Sequence, residues 1–235
     1  GGEERQKVTE GAERTYRFFV EIISPHKKLE EPPQLYRMFF FDTRKQLADY
    51  CQLNKITLYS PMGFYHPGKK IGYFTRSPFG LLSIVYHEIV HQMEYNMPGM
   101  TIEFIKKRRE ACTWTEEGFA NYVETVLMEG DAKYEGKKAP CLAKIGQFIS
   151  LKKFCSLNYG DMEKLDPAVK CGMYITVFHY FMHAANGAYR EKFVKHALLG
   201  GKASAEDLER LLGVSLDSLQ ADYIAHARKL LSPPK

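Results

Sequence analysis

The stretch Leu81-Leu-Ser-Ile-Val-Tyr-His-Glu-Ile-Val-His-Gln-Met93 constrains this chain more than any other. Its apolar residues surround the segment instead of marking one stripe, which predicts a buried helix, here expected over 80–96. Yet it carries His87, Glu88 and His91. Two histidines four apart stand one above the other on the same helical face, and Glu88 lies beside that face. A fold that buries this helix must satisfy all three, as core histidines with partners or as a site.

Two imidazole nitrogens one turn apart can reach one metal ion. A glutamate directly after the first histidine can touch a water on that ion without ligating it. Zinc polarises water and carbonyl, and the glutamate takes the proton. Such a site needs a third protein ligand and an open position. The next element, Cys112-Thr-Trp-Thr-Glu-Glu-Gly-Phe-Ala-Asn-Tyr-Val-Glu124, offers Glu117, 26 residues past His91, with Glu116 as the neighbour that competes for the role. Thr113 or Thr115 is expected to cap a helix over 114–129, Thr113 and Glu116 having capping-box spacing, so that Glu117 falls in its first turn. Asn121 and Glu124 follow one and two turns on. They are candidates to bond the ring N–H of a ligand histidine and fix its tautomer.

HEIVH followed by a tryptophan and Glu117-Gly-Phe-Ala-Asn-Tyr-Val-Glu124 resembles the gluzincin clan of zinc metallopeptidases. The closer likeness is to small bacterial peptidase-MA-like families, which also carry a segment like Gly63-Phe64-Tyr65. The resemblance spans about residues 35–185 and is specific at 86–93 and 112–124. It implies an α+β, zincin-like fold, with His87, His91 and Glu117 on Zn2+ and Glu88 as general base. It also implies a Tyr or His on the substrate oxyanion. Tyr174 is the candidate, with Tyr159 and Tyr180 as competitors and Tyr122 as core or cleft lining. The sequence departs from the aminopeptidase pattern twice. The gap after His91 is longer, so 94–112 is expected to hold an inserted loop. No exopeptidase anchor segment precedes HEIVH, so hydrolysis of internal peptide bonds is expected. The alternative is an inactive peptidase-like binding module that keeps the metal site.

The 235 residues suit one catalytic domain, with an α+β sub-lobe over 1–97 and a helical one over 98–235. In the first, a helix over 3–24 precedes a strand at 35–41. A helix capped by Asp42 or Thr43 comes next, then the hairpin Gly63-Phe-Tyr-His-Pro-Gly-Lys-Lys-Ile-Gly-Tyr-Phe-Thr75. Residues 71–76 of that hairpin are a candidate edge for an extended substrate. In the second, helices are expected over 141–155, 169–187, 189–199, 204–212 and 216–231. His179 and His183 repeat the four-residue spacing without a following glutamate and read as a helix surface or core pair.

The net charge of +5 and Lys106-Lys-Arg-Arg109, read as a solvated loop or helix end, bring no nucleic-acid module with them. No run approaches the roughly eighteen apolar residues of a membrane span. The five cysteines include no CxxC pair, which argues against a thiol zinc site, and their odd number leaves at least one thiol unpaired within the chain. The expected partner is a polypeptide substrate, with flanking domains outside this fragment. A bacterial secreted, periplasmic or cell-surface location is favoured over the cytoplasm.

Overall fold

The computed structural model describes residues 2–26, 37–76, 78–97, 102–196 and 204–233; of residue 102 and residues 104–113 it describes the backbone alone. Helix α1 (Gly2–Ile23) leads to strand β1 (Arg37–Phe41), helix α2 (Arg44–Leu53), and strands β2 (Gly63–His66) and β3 (Ile71–Thr75). Helices α3 (Leu81–Asn96) and α4 (Ile102–Leu127) follow. The rest is helical: α5 (Ala132–Ala143), α6 (Leu151–Cys155), α7 (Tyr159–Met162), α8 (Pro167–Gly187), α9 (Arg190–Val194), α10 (Ala205–Leu212) and α11 (Gln220–Leu231). This is the α+β, zincin-like architecture: a small mixed α/β region followed by a mainly helical lobe.

The sheet order is β1-β3-β2, with β1 parallel and β2 antiparallel to β3. Tyr73 pairs with Phe39 on one side and Phe64 on the other, and its ring stacks between theirs at centroid distances of 5.8 and 5.2 Å. Leu47 and Cys51 of α2 cover that face, where Phe64 and Tyr73 are buried. Thr43 caps α2 as expected, and the structure adds a capping box in which Gln46 is its reciprocal partner. The sheet order overturns one expectation. Residues 71–75 form the central strand, paired on both sides, so they cannot accept an extended substrate. Among the described residues the edges are β1 and β2.

Helix α3 is enclosed by α1, α4 and the sheet, which explains why it is apolar on every side. Gly11 lets α1 lie close on α3, since a Cβ there would meet the Leu82 side chain at 2.9 Å. Beyond α4, Phe178 of α8 meets Phe119, Tyr122 and Phe193 at 5.2, 5.3 and 4.8 Å, joining the two long helices in one core.

Three expectations about helices give way. Helix α4 begins at Ile102, not 114, so much of the expected inserted loop is helix and Lys106–Arg109 lies within it; residues 98–101 fall outside the described residues. Neither Thr113 nor Thr115 caps it, and Glu117 sits mid-helix, away from the N-terminal dipole. The helix expected over 141–155 is instead the end of α5, a 3-10 turn and the short α6. Asp131 caps α5 by accepting from the Lys133 and Tyr134 N–H groups. The thiols of Cys51, Cys141 and Cys171 form no disulfide among the described residues. Among the described residues no helix is long and apolar enough to cross a membrane.

Candidate metal centre

Helices α3 and α4 bring together three side chains that the sequence separates. The Nε2 atoms of His87 and His91 face each other at 3.3 Å. Glu117 Oε2 lies 3.4 Å from His87 Nε2, and its Oε1 lies 3.7 Å from His91 Nε2. The three residues form a cluster in which one donor atom of each lies within 4.8 Å of the others. Four ligands placed tetrahedrally about a zinc ion at bond lengths near 2.0–2.1 Å stand about 3.3–3.4 Å apart. The His87–His91 spacing and the approach of Glu117 Oε2 to His87 fall in that range, and Glu117 meets His91 with its other oxygen.

The geometry separates Glu117 from Glu116. Glu116 is buried behind His91, its Oε1 3.9 Å from Nδ1, the nitrogen that points away from the cluster. Glu94 approaches the same nitrogen at 3.8 Å. Carboxylates on that side favour a proton at Nδ1 and leave the Nε2 lone pair facing the cluster.

His87 is held in the same sense by Glu124, whose Oε2 lies 3.4 Å from His87 Nδ1. Glu124 is 1% exposed, and its charge is met by a web. Lys137 Nζ donates to Oε2 at 2.6 Å, and Ser83 Oγ donates to Oε1. Burial opposes the ionised form, but Lys137 and His87 outweigh it and hold the Glu124 carboxyl near a pKa of about 2. For His87, burial disfavours the cation, while hydrogen bonds to Glu117 and Glu124 reverse the balance and raise the metal-free imidazole to about 10. A cluster this attractive to positive charge is one that a divalent cation would also satisfy.

Glu88 is 8% exposed. Burial pushes its carboxyl up, against the pull of His87 and His91, and the backbone N–H of Tyr65 on β2 donates to it. Asn121 takes a different place from that expected. Its amide donates to the Glu117 carbonyl at 2.8 Å, and its Oδ1 accepts from Lys137 at 3.3 Å; these bonds run along α4 and to α5, not to an imidazole. Tyr174, on α8 against α4, is buried. Burial first, then the charge of Glu117, keeps its phenol protonated. Of its competitors, Tyr159 is 54% exposed, and Tyr180 packs against Tyr223 and His226. Tyr122 is core, its hydroxyl 3.1 Å from His183 Nε2.

The residues that sequence reasoning missed are Ser83, Glu94 and Lys137. Ser83 precedes His87 by one turn, so its position on the helix was visible although its partner was not. Lys137 belongs to α5, whose start was marked by Gly130-Asp131, a stop followed by a cap.

The site thus defines a class: a two-histidine, one-glutamate cluster able to chelate a metal ion, set between α3 and α4 in a zincin-like α+β fold. No protein-family model matches the chain, and no curated protein matches it.

Proposed function

We propose that this cluster is the zinc centre of a gluzincin-type metallopeptidase that hydrolyses internal peptide bonds of a polypeptide substrate. The observation that carries the reading is the mutual spacing of His87 Nε2, His91 Nε2 and Glu117, 3.3–3.7 Å, with a buried glutamate directly beside them. Zinc bound there would lower the pKa of water and polarise the scissile carbonyl.

The protein's own groups divide the remaining work. Glu88, raised by burial, takes the proton of the attacking water at its carboxylate and returns it to the leaving amine. Tyr174 keeps its phenolic proton and donates to the carbonyl oxygen as negative charge develops. Glu124 fixes the His87 tautomer, and Lys137 keeps Glu124 ionised.

The test pairs metal content with cleavage of an unfolded polypeptide such as reduced casein. Glu88→Gln keeps one zinc per chain and loses hydrolysis by about 10²-fold or more, the usual weight of a general base. Glu117→Ala loses zinc. Glu88→Gln cleaving as fast as wild type refutes the mechanism. Zinc bound without cleavage by the wild type removes the peptidase reading and leaves the metal centre.

A further inference from the structure

A second set of titratable groups surrounds a cavity of about 530 Å3 between α4, α5, α11 and the end of α8. His179 and His183 stand one turn apart with rings stacked at 4.2 Å. His179 Nδ1 lies 2.9 Å from Nε2 of His226, which α11 supplies. Lys138 and Lys229 complete the basic lining, and the acidic groups of the wall are Glu129 and Glu135. Glu135 is already engaged, its Oε1 2.8 Å from Lys138 Nζ. Lys138 is engaged by the same pair, so Lys229 and three imidazoles are left against Glu129 around a space large enough for a small ligand.

The groups that face these imidazoles add to the imbalance. His179 faces His183, His226, Lys138 and the Tyr122 ring. His183 faces Arg190 and Glu129, and its Nε2 meets Tyr122. His226 faces His183, Lys229 and the Tyr180 ring. Burial comes first and neighbouring basic groups second in holding all three imidazoles neutral; His179 is lowered to about 3. A cation entering here would meet lysines. Moreover, the histidine donors do not close on one point as those of His87, His91 and Glu117 do. An anion would meet the Lys229 ammonium, the Lys138 ammonium that Glu135 shares, and imidazole N–H donors, and its charge would raise the basicity of those imidazoles.

We infer that the cavity between α4, α5, α8 and α11 is a binding site for a small dianion of the phosphate or dicarboxylate class, held by Lys138, Lys229 and the His179–His183–His226 cluster. Binding draws protons onto the imidazoles and tightens as pH falls.

Sulfate is the probe, because its charge is constant across the range tested. Calorimetric titration with sodium sulfate, against sodium chloride of equal ionic strength, gives a saturable heat that tightens at least about fivefold from about pH 7.5 to 5.5, where imidazoles titrate. Lys138→Met and His179→Gln each weaken it by about tenfold, the loss of one charge-assisted contact. Lys229→Met weakens it too, and as a change at an exposed position it leaves the fold intact. Repeating the titration with phosphate and with succinate distinguishes a tetrahedral oxyanion from a dicarboxylate. Sulfate heat equal to the chloride control, or unchanged affinity in Lys229→Met and His179→Gln, overturns the inference. So does a second equivalent of Zn2+, rather than sulfate, moving the imidazole resonances of His179 and His226. None of these readouts depends on hydrolysis.

Discussion

Replacing Lys137 by methionine isolates the web behind His87. Lys137 Nζ and Glu124 Oε2 are 2.6 Å apart, and the two side chains are 15% and 2% exposed, so solvent screens the pair weakly. Removing one partner leaves a buried carboxylate facing only Ser83 and His87, a loss of about 3–5 kcal/mol. Glu124→Gln alone strands the ammonium instead and is also destabilising. The double variant removes both charges and recovers most of the loss, giving a coupling of about 2 kcal/mol or more in a double-mutant cycle. Acid provides an independent measure. Glu124 titrates near 2 in the folded chain against an ordinary value of 4.5, so its contribution is complete above pH 4.5 and disappears as pH falls through 2. That depression is equivalent to about 3 kcal/mol, and Glu124→Gln flattens this part of the pH profile. Urea unfolding followed by circular dichroism, with chelator in every sample, reads both quantities without a metal-binding contribution. A cost below about 1 kcal/mol for Lys137→Met, or strictly additive single variants, refutes the claim that Lys137 sustains the Glu124 charge.

Glu124→Ala frees the His87 ring and weakens zinc binding by about 10–100-fold, read by competition with a chromophoric chelator. Removing metal lowers the melting temperature, and zinc at a hundredfold excess over its dissociation constant restores about 2.7 kcal/mol; an unchanged melting curve argues against a folded-state zinc site. Gly63→Ala places a Cβ 2.8 Å from the Tyr73 carbonyl at a φ of +157°, so β2 must shift. The cost is about 1–3 kcal/mol by urea unfolding, and hydrolysis falls further than stability because the Tyr65 N–H that supports Glu88 moves with the strand.

What the sequence disclosed follows the range of the interactions concerned. The spacing of His87 and His91 is fixed by one helical turn, the Thr43 cap by the three residues to the N–H it accepts from, and the turn between β2 and β3 by Pro67-Gly68. Each was legible because its physics is local. The pairing of β1 with β3 joins residues 34 apart (Arg37 and Ile71), so the central place of β3 was hidden behind a hairpin pattern that describes only β2 and β3. The start of α4 is a different kind of error. Glu103, Lys106, Lys107 and Glu110 are good helix formers, and threonines favour caps only where the backbone leaves them a choice. Reading Thr113 as a cap gave one local preference precedence over the propensity of the whole segment.

The same distinction explains why the site was recovered in layers. The three donor groups come from two sequence segments, each with a recognisable spacing, and only the approach of α3 to α4 is needed to join them. Glu124 came with them because it shares its helix face with Glu117. The charge that keeps Glu124 ionised comes from α5, beyond a turn, and nothing in the spacing of Lys137 signals its direction. Choosing between Glu116 and Glu117 likewise required geometry: adjacent residues on a helix point about 100° apart, and here one meets Nε2 of both histidines while the other meets the back of His91. A motif therefore identifies the groups that converge on the cluster, and packing determines the charge and tautomer each of them carries there.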